Sequence, residues 1–167
     1  MSIYAIDKLI EETRRVASEF HRSTGTILPV SAEISRYDVS RLLGFELMDD
    51  RNLGYDAITG QDLGSARVLV KSRVIKDCVN SNQRIGQMNF DADWEMVALS
   101  VMDQDFAPLE IYLISRDALV DELENCNSRR NRRGAMSLAK FMIIADLVWT
   151  AEEGRIDDSS VDKAAVG

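Results

Sequence analysis

An alternating run in the middle of the chain most constrains the fold. It lies in residues 54–75, GYDAITGQDLGSARVLVKSRVI, where a short run, a glycine-marked turn and a longer run follow one another. In the longer run, two sets of residues alternate along the chain. One set is valine, at Val68, Val70 and Val74, and the other is mainly basic, at Arg67, Leu69, Lys71 and Arg73. A period of two is typical of a strand that fully buries one face, so the pattern predicts a β-hairpin.

The predicted hairpin brings an acid close to a lysine. Residues 54–57 form its first strand and residues 67–75 its second, paired antiparallel. Because cross-strand neighbours lie about 5 Å apart at Cβ, we expect Asp56 close to Lys71, on the same side of the sheet. A purely structural interpretation is the alternative, in which Asp56 begins a strand and Lys71 is a solvated neighbour of Arg73.

The run GYDAI, followed by a strand ending VLVK, resembles the PD-(D/E)XK nuclease superfamily, over roughly residues 30 to 145 by order of elements. The resemblance implies a restriction-endonuclease-like fold with an αβββαβ core, in which Asp56 holds a Mg²⁺ ion and Lys71 activates water. It also implies a glutamate from the preceding helix, for which Glu33 is the candidate. A glutamate in a first helical turn is equally explained by the helix dipole. Leu69 stands where the motif has its second acid, and its side chain has no oxygen that could bind Mg²⁺.

The other periodic segments predict helices and a second hairpin. Helices are expected over residues 3–20, 29–43, 116–123 and 137–151, and paired strands over residues 94–102 and 109–115, with a polar loop over residues 76–91. The fold class is therefore α/β (α+β): a mixed sheet of two hairpins flanked by helices, with an extra amphipathic N-terminal helix. We expect one domain over residues 1–151 and a disordered acidic tail over residues 152–167.

The charges of the chain support two opposing expectations about nucleic-acid binding. The net charge of -8 counts against indiscriminate nucleic-acid binding, which depends on Lys and Arg neutralising phosphates. However, four arginines fall within five residues, and together with Arg73 they are the candidate nucleic-acid contacts: Arg129, Arg130, Arg132 and Arg133. A solvated loop is the alternative interpretation of this cluster. We expect any binding to nucleic acid to depend strongly on salt.

Partners and location follow from simpler patterns. The amphipathic helix over residues 3–20 either packs on its own domain or forms a homodimer. No apolar run approaches the roughly 20 residues that span a bilayer, and the first residues lack the order of a signal peptide, so we expect a cytoplasmic protein without a membrane partner. Cys78 and Cys126 are expected to be free thiols.

Three functions remain open from the sequence. The first is a metal-dependent nuclease that uses Asp56, Lys71 and Glu33. The second is a catalytically degenerate protein of that fold that binds nucleic acid, and the third is a non-enzymatic interaction protein that docks through its N-terminal helix.

Overall fold

The structure, a computed structural model, describes residues 3–77, 82–125 and 136–156. Within these ranges the chain forms four helices and seven strands, all of the strands in one sheet. In chain order the elements are α1 (Ile3–Thr24), α2 (Ser31–Leu43), β1 (Glu46–Leu47), β2 (Ala57–Ile58), β3 (Arg67–Val74), β4 (Met96–Met102), β5 (Pro108–Ser115), α3 (Arg116–Glu124), α4 (Leu138–Ile144), β6 (Asp146–Thr150) and β7 (Gly154–Arg155). The predicted mixed α/β class is confirmed. No helix of the described ranges is long and apolar enough to cross a bilayer.

The strands lie in the sheet in the order in which they occur in the chain. Both predicted hairpins are confirmed, since β2 pairs antiparallel with β3 and β4 antiparallel with β5. The two hairpins meet through a parallel pair, in which β3 and β4 align from Val68 opposite Met96 to Val74 opposite Met102. Parallel neighbours need a crossover connection, so the chain between β3 and β4 must return along the sheet before β4 begins.

Both faces of the sheet are covered. One face packs against the crossover, α3 and α4, in a cluster that contains Trp94, Leu99 and Phe141, each at most 1% exposed. The other face packs against α2, where Val39 meets Val70 of β3. The described part of the predicted loop over residues 76–91 therefore packs against the sheet and contributes to the core.

A buried ion pair joins α1 to the rest of the domain. Arg14 donates to both carboxylate oxygens of Asp38, at 2.8 and 2.9 Å, and to the backbone carbonyl of Phe106. Asp38 is fully buried, and burial raises its pKa while the charge of Arg14 opposes that rise. The N-terminal helix thus packs on its own domain, as one of its two interpretations predicts.

The C-terminal part of the sheet corrects the sequence prediction. The helix expected over residues 137–151 ends at Ile144, and Ala145 is already extended, with φ -90° and ψ 155°. Residues Asp146–Thr150 then form β6, which pairs with β5. The physical reason is that the run LVWT favours a strand and the edge of β5 supplies unpaired backbone groups. The turn after β6 and strand β7 also carry ordered structure to Ile156, past the expected domain boundary at residue 151.

Candidate functional site

Asp56 holds the first strand of the predicted hairpin, residues 54–57, against β3. Its backbone N–H donates to Val68 O at 2.8 Å, and its backbone carbonyl accepts from Met48 N at 2.9 Å. One carboxylate oxygen, Oδ2, accepts from the backbone N–H of Val70 at 2.8 Å. Asp56 therefore forms hydrogen bonds through both its backbone and its side chain to β3, the strand that carries Lys71. Leu69 lies two residues before Lys71 on the same strand. The predicted pairing of these strands is confirmed.

The second oxygen of Asp56 is taken by an arginine of α2. Arg36 Nε lies 2.8 Å from Asp56 Oδ1. Because this Nε makes no hydrogen bond of good geometry, the contact is an ion pair. The guanidinium is held further by a 2.9 Å hydrogen bond to Met48 O. Arg36 is buried, with 7% of its surface exposed, so it lies inside the protein between α2 and β2.

Glu33 belongs to the same group of charges. Arg36 NH1 lies 3.6 Å from Glu33 Oε2, one helical turn earlier on α2. Both oxygens of Glu33 also accept from Arg51, with the Oε2 contact at 2.7 Å. Arg51 is the larger reason why the pKa of Glu33 is lowered, and burial opposes that effect. We call Asp56, Lys71, Glu33, Arg36 and Arg51 the hairpin site.

Lys71 lies on the face of β3 that the crossover covers. Its Nζ donates to Gln87 O at 3.0 Å, and the side chain is half-buried. Burial lowers the pKa of Lys71, the charge of Asp56 raises it, and Arg73 lowers it further. Asp56 and Lys71 thus interact as predicted, while the two oxygens of Asp56 contact Arg36 and the backbone N–H of Val70.

Arg73 resembles Lys71 in its partners. Its Nε donates to Arg84 O and its NH1 to Ser72 O at 2.6 Å, and burial lowers the pKa of the guanidinium. Both cations are bound by backbone carbonyls, and neither forms an ion pair with a carboxylate of the described residues. In those parts of the chain, Asp56 therefore acts on Lys71 through its charge and without a salt bridge.

The hairpin site carries more positive than negative charge. Arg36, Arg51 and Lys71 supply three cations against the two carboxylates of Asp56 and Glu33. The charges act on one another across the site, since Asp56 also raises the pKa of Arg51. An excess of cations that are partly screened from water attracts anions more strongly than the same charges would in bulk solvent.

A Mg²⁺ ion does not fit these donors as they are arranged. Mg²⁺ requires carboxylate or other oxygens in octahedral geometry. Each oxygen of Asp56 and Glu33 already contacts an arginine or a backbone N–H, and Leu69 packs at the edge of the hydrophobic cluster under the crossover. In the described ranges no three His, Cys, Asp or Glu side chains come together as a metal-binding group. Mg²⁺ would have to displace Arg36 to bind Oδ1 of Asp56.

Arg36 and Arg51 are the residues that the sequence analysis missed. Arg36 stands three residues after Glu33, a spacing that places both on one side of α2. That spacing was visible in the sequence, but it is common on helix surfaces and carries no sign of a contact with Asp56. Only the packing of α2 on β1 and β3 brings Arg36 to that carboxylate.

A surface and a cleft lie away from the hairpin site. On α1 three apolar side chains share one exposed stripe, with 57%, 50% and 39% of their surfaces accessible: Leu9, Val16 and Phe20. A cleft of about 590 Å³ opens between β5, β6 and the turn before β7, and it is lined in part by Glu110, Glu152 and Glu153. The cleft contains none of the predicted site residues.

The remaining predicted contacts cannot be placed. Arg129, Arg130, Arg132 and Arg133 lie outside the described residues, as do Cys78 and Cys126. The functional interpretation therefore depends on the hairpin site and on Arg73. No protein-family model matches the chain, and no curated protein matches it in sequence.

Proposed function

We propose that the protein is a catalytically degenerate relative of the PD-(D/E)XK nucleases, which binds nucleic-acid phosphates at the hairpin site and cleaves them little or not at all. The observation that carries the proposal is the contact of Asp56 with the strand that bears Lys71, combined with the arginine ion pairs at both site carboxylates. Cytoplasmic location stays a prediction of the sequence.

The order of elements supports the proposed relationship. Helix α2 is followed by the antiparallel strands β1, β2 and β3, and then by a crossover to β4, which is parallel to β3. This order agrees with the αβββαβ core that the resemblance implies, except that residues 82–95 of the crossover contain no helix. Asp56 lies directly before β2 and Lys71 within β3, and these are the residues that the resemblance assigns to the motif aspartate and lysine.

Charge supports phosphate as the ligand. The excess of cations in the hairpin site would attract a phosphodiester, and Arg73 lies two residues beyond Lys71 on the same face of β3. Backbone carbonyls, rather than carboxylates, hold Lys71 and Arg73, so a phosphate would not have to displace a charged partner from either. The overall charge of -8 restricts binding to such local patches and makes it weak at physiological salt.

Weak or absent cleavage is expected from the few oxygen ligands that the hairpin site offers a metal ion. Hydrolysis by this class of site depends on a metal that polarises the phosphate and activates water. The site has Leu69 in place of one acid and arginine contacts at the two acids that remain. We therefore expect weak affinity for Mg²⁺.

The test is a salt series with single-stranded, duplex and branched DNA, with and without Mg²⁺ or Mn²⁺. If about four to six cations contact phosphates, log affinity for a duplex falls with log salt at a slope of roughly -4 to -5. Arg73→Ala should weaken binding and make the slope shallower by about one. The quadruple replacement of Arg129, Arg130, Arg132 and Arg133 by alanine tests the second basic segment. Lys8→Ala, an exposed lysine of α1, is the matched control and should leave affinity unchanged.

Two results would contradict the proposal. Absence of binding to every DNA form at low salt would remove nucleic acid as the ligand. Metal-dependent cleavage that is lost in Asp56→Ala and in Lys71→Ala would show an active nuclease in spite of Leu69.

A second candidate function is protein docking through α1. The observation in its favour is the exposed apolar stripe of Leu9, Val16 and Phe20 on a helix that already packs on the domain by its other side. This function predicts a homodimer in sedimentation equilibrium that Val16→Glu dissociates, while Thr24→Glu, at the end of the same helix, does not. A monomer at all concentrations up to about 100 μM, which corresponds to a dissociation free energy of about 5.5 kcal/mol, would exclude it.

A further inference from the structure

We propose that the guanidinium of Arg36 replaces a metal ion as the permanent counter-charge of the hairpin site, so that Arg36 organises Asp56 and Glu33 and excludes divalent cations from them. This inference concerns the site named in the proposed function, but it does not depend on nucleic acid as the ligand.

The position of Arg36 is the first argument. Its side chain lies between the two carboxylates, with Nε 2.8 Å from Asp56 Oδ1 and NH1 3.6 Å from Glu33 Oε2. One cation therefore contacts an oxygen from the helix before the hairpin and an oxygen from the hairpin itself. A metal ion bound by the same two acids would occupy this position.

The fixation of Arg36 is the second argument. NH2 donates to Met48 O at 2.9 Å, directly after β1, and the residue is 7% exposed. The guanidinium is thus held by α2, by the residue after β1 and by Asp56, and it cannot swing into solvent without breaking all three connections. These three connections keep the guanidinium in this position.

Repulsion is the third argument. A divalent ion within about 4 Å of a guanidinium that water cannot screen is repelled strongly, and this repulsion offsets the attraction of the carboxylates. The other oxygen of Asp56 is occupied by the backbone N–H of Val70, so the ion has no alternative approach to an unbonded oxygen of that residue. Removal of the Arg36 charge should therefore create metal affinity where the wild type has little.

The experiment compares Arg36→Met with Arg36→Lys. Methionine retains much of the length and removes the charge, whereas lysine retains the charge. Mn²⁺ binding is measured by the loss of the electron paramagnetic resonance signal of the free ion, and folding by circular dichroism. We expect Arg36→Met to bind Mn²⁺ at least about tenfold more tightly than the wild type, and Arg36→Lys to match the wild type. Arg36→Met should also gain thermal stability when Mn²⁺ is added, in contrast to Arg36→Lys.

A second variant keeps the test decisive if Arg36→Met does not fold. Arg36→Gln removes the charge and keeps an amide N–H that can donate to Met48 O, so we expect it to fold and to bind Mn²⁺ more tightly than the wild type. The inference is refuted if the folded charge-removing variant, Arg36→Met or Arg36→Gln, binds Mn²⁺ no more tightly than the wild type. Failure of the proposed function would appear separately, as absence of DNA binding with the Mn²⁺ results intact.

Discussion

Replacement of Arg14 by methionine should strongly destabilise the protein at neutral pH. Arg14 contacts both oxygens of Asp38 at 2.8 and 2.9 Å, and Asp38 is fully buried. Without Arg14 a carboxylate stays in the interior with no bidentate partner, which typically costs about 3–5 kcal/mol. Because 14% of the Arg14 side chain is exposed, water can reach part of the site, and we expect a loss of about 3 kcal/mol.

The loss should depend on pH in a defined direction. Burial raises the pKa of Asp38 above its ordinary value of 3.8, and Arg14 is the main influence that lowers it. Arg14→Met removes that influence, so the pKa of Asp38 in the folded variant rises further. A raised carboxyl pKa means that the folded state holds the proton more firmly than the unfolded state. The stability deficit is therefore small at pH values below the folded-state pKa of Asp38 in the wild type, and it grows as the pH rises from there to the higher folded-state pKa of the variant.

Urea denaturation followed by the fluorescence of Trp94 and Trp149 measures this effect. With a denaturant dependence of about 2 kcal/mol per molar urea, a loss of 3 kcal/mol lowers the midpoint by roughly 1.5 M. The double variant Arg14→Met with Asp38→Leu should recover much of the loss, because both charges are then absent. Two results would show that Arg14 and Asp38 do not depend on each other inside the protein. One is a loss of unfolding free energy below about 1 kcal/mol at pH 7 in Arg14→Met, and the other is additive effects of the two substitutions.

Two further substitutions test the packing around the hairpin and in the core, each against a control. Gly54→Ala should destabilise the protein by about 1–3 kcal/mol, because φ is +81° and a Cβ would lie 2.9 Å from Ala92 Cβ. Gly25→Ala, with φ +72° and open space around it, should show only the smaller backbone cost, and equal losses would remove the steric argument. Leu99→Ala, at a fully buried position in β4, should cost about 2–5 kcal/mol in thermal or urea unfolding. Leu9→Ala, at 57% exposure, should stay within about 0.5 kcal/mol, and a comparable loss at both positions would contradict the assignment of the core.

The hairpins could be predicted because their signals are local. Alternation of apolar and polar residues in β3 reports which face is buried, and a glycine-rich turn of limited length leaves few ways to pair the two flanking runs. The same reasoning placed Asp56 near Lys71. Helices α2 and α3 could be predicted for the same reason, because single residues mark where they begin and end. Ser115, which caps α3, is one of these residues.

Strand β6 could not be predicted from local signals alone. Residues Leu147, Val148 and Trp149 fit the apolar face of a helix and also a strand, and the choice depends on the free edge of β5. That edge exists only after the sheet has formed. A segment with two acceptable local conformations therefore takes the one whose backbone groups find partners in the rest of the fold.

The sequence by itself determined the α/β class, the two hairpins and the proximity of an acid to a lysine, because each depends on the spacing of residues close in the chain. Only the tertiary structure decided what surrounds that acid. Arg36 reaches Asp56 across 20 residues of sequence, and Lys71 finds its carbonyl partner in a crossover that returns over β3. Such contacts follow from the packing of whole elements, in which a side chain's partner is chosen by burial and charge rather than by its neighbours in the chain.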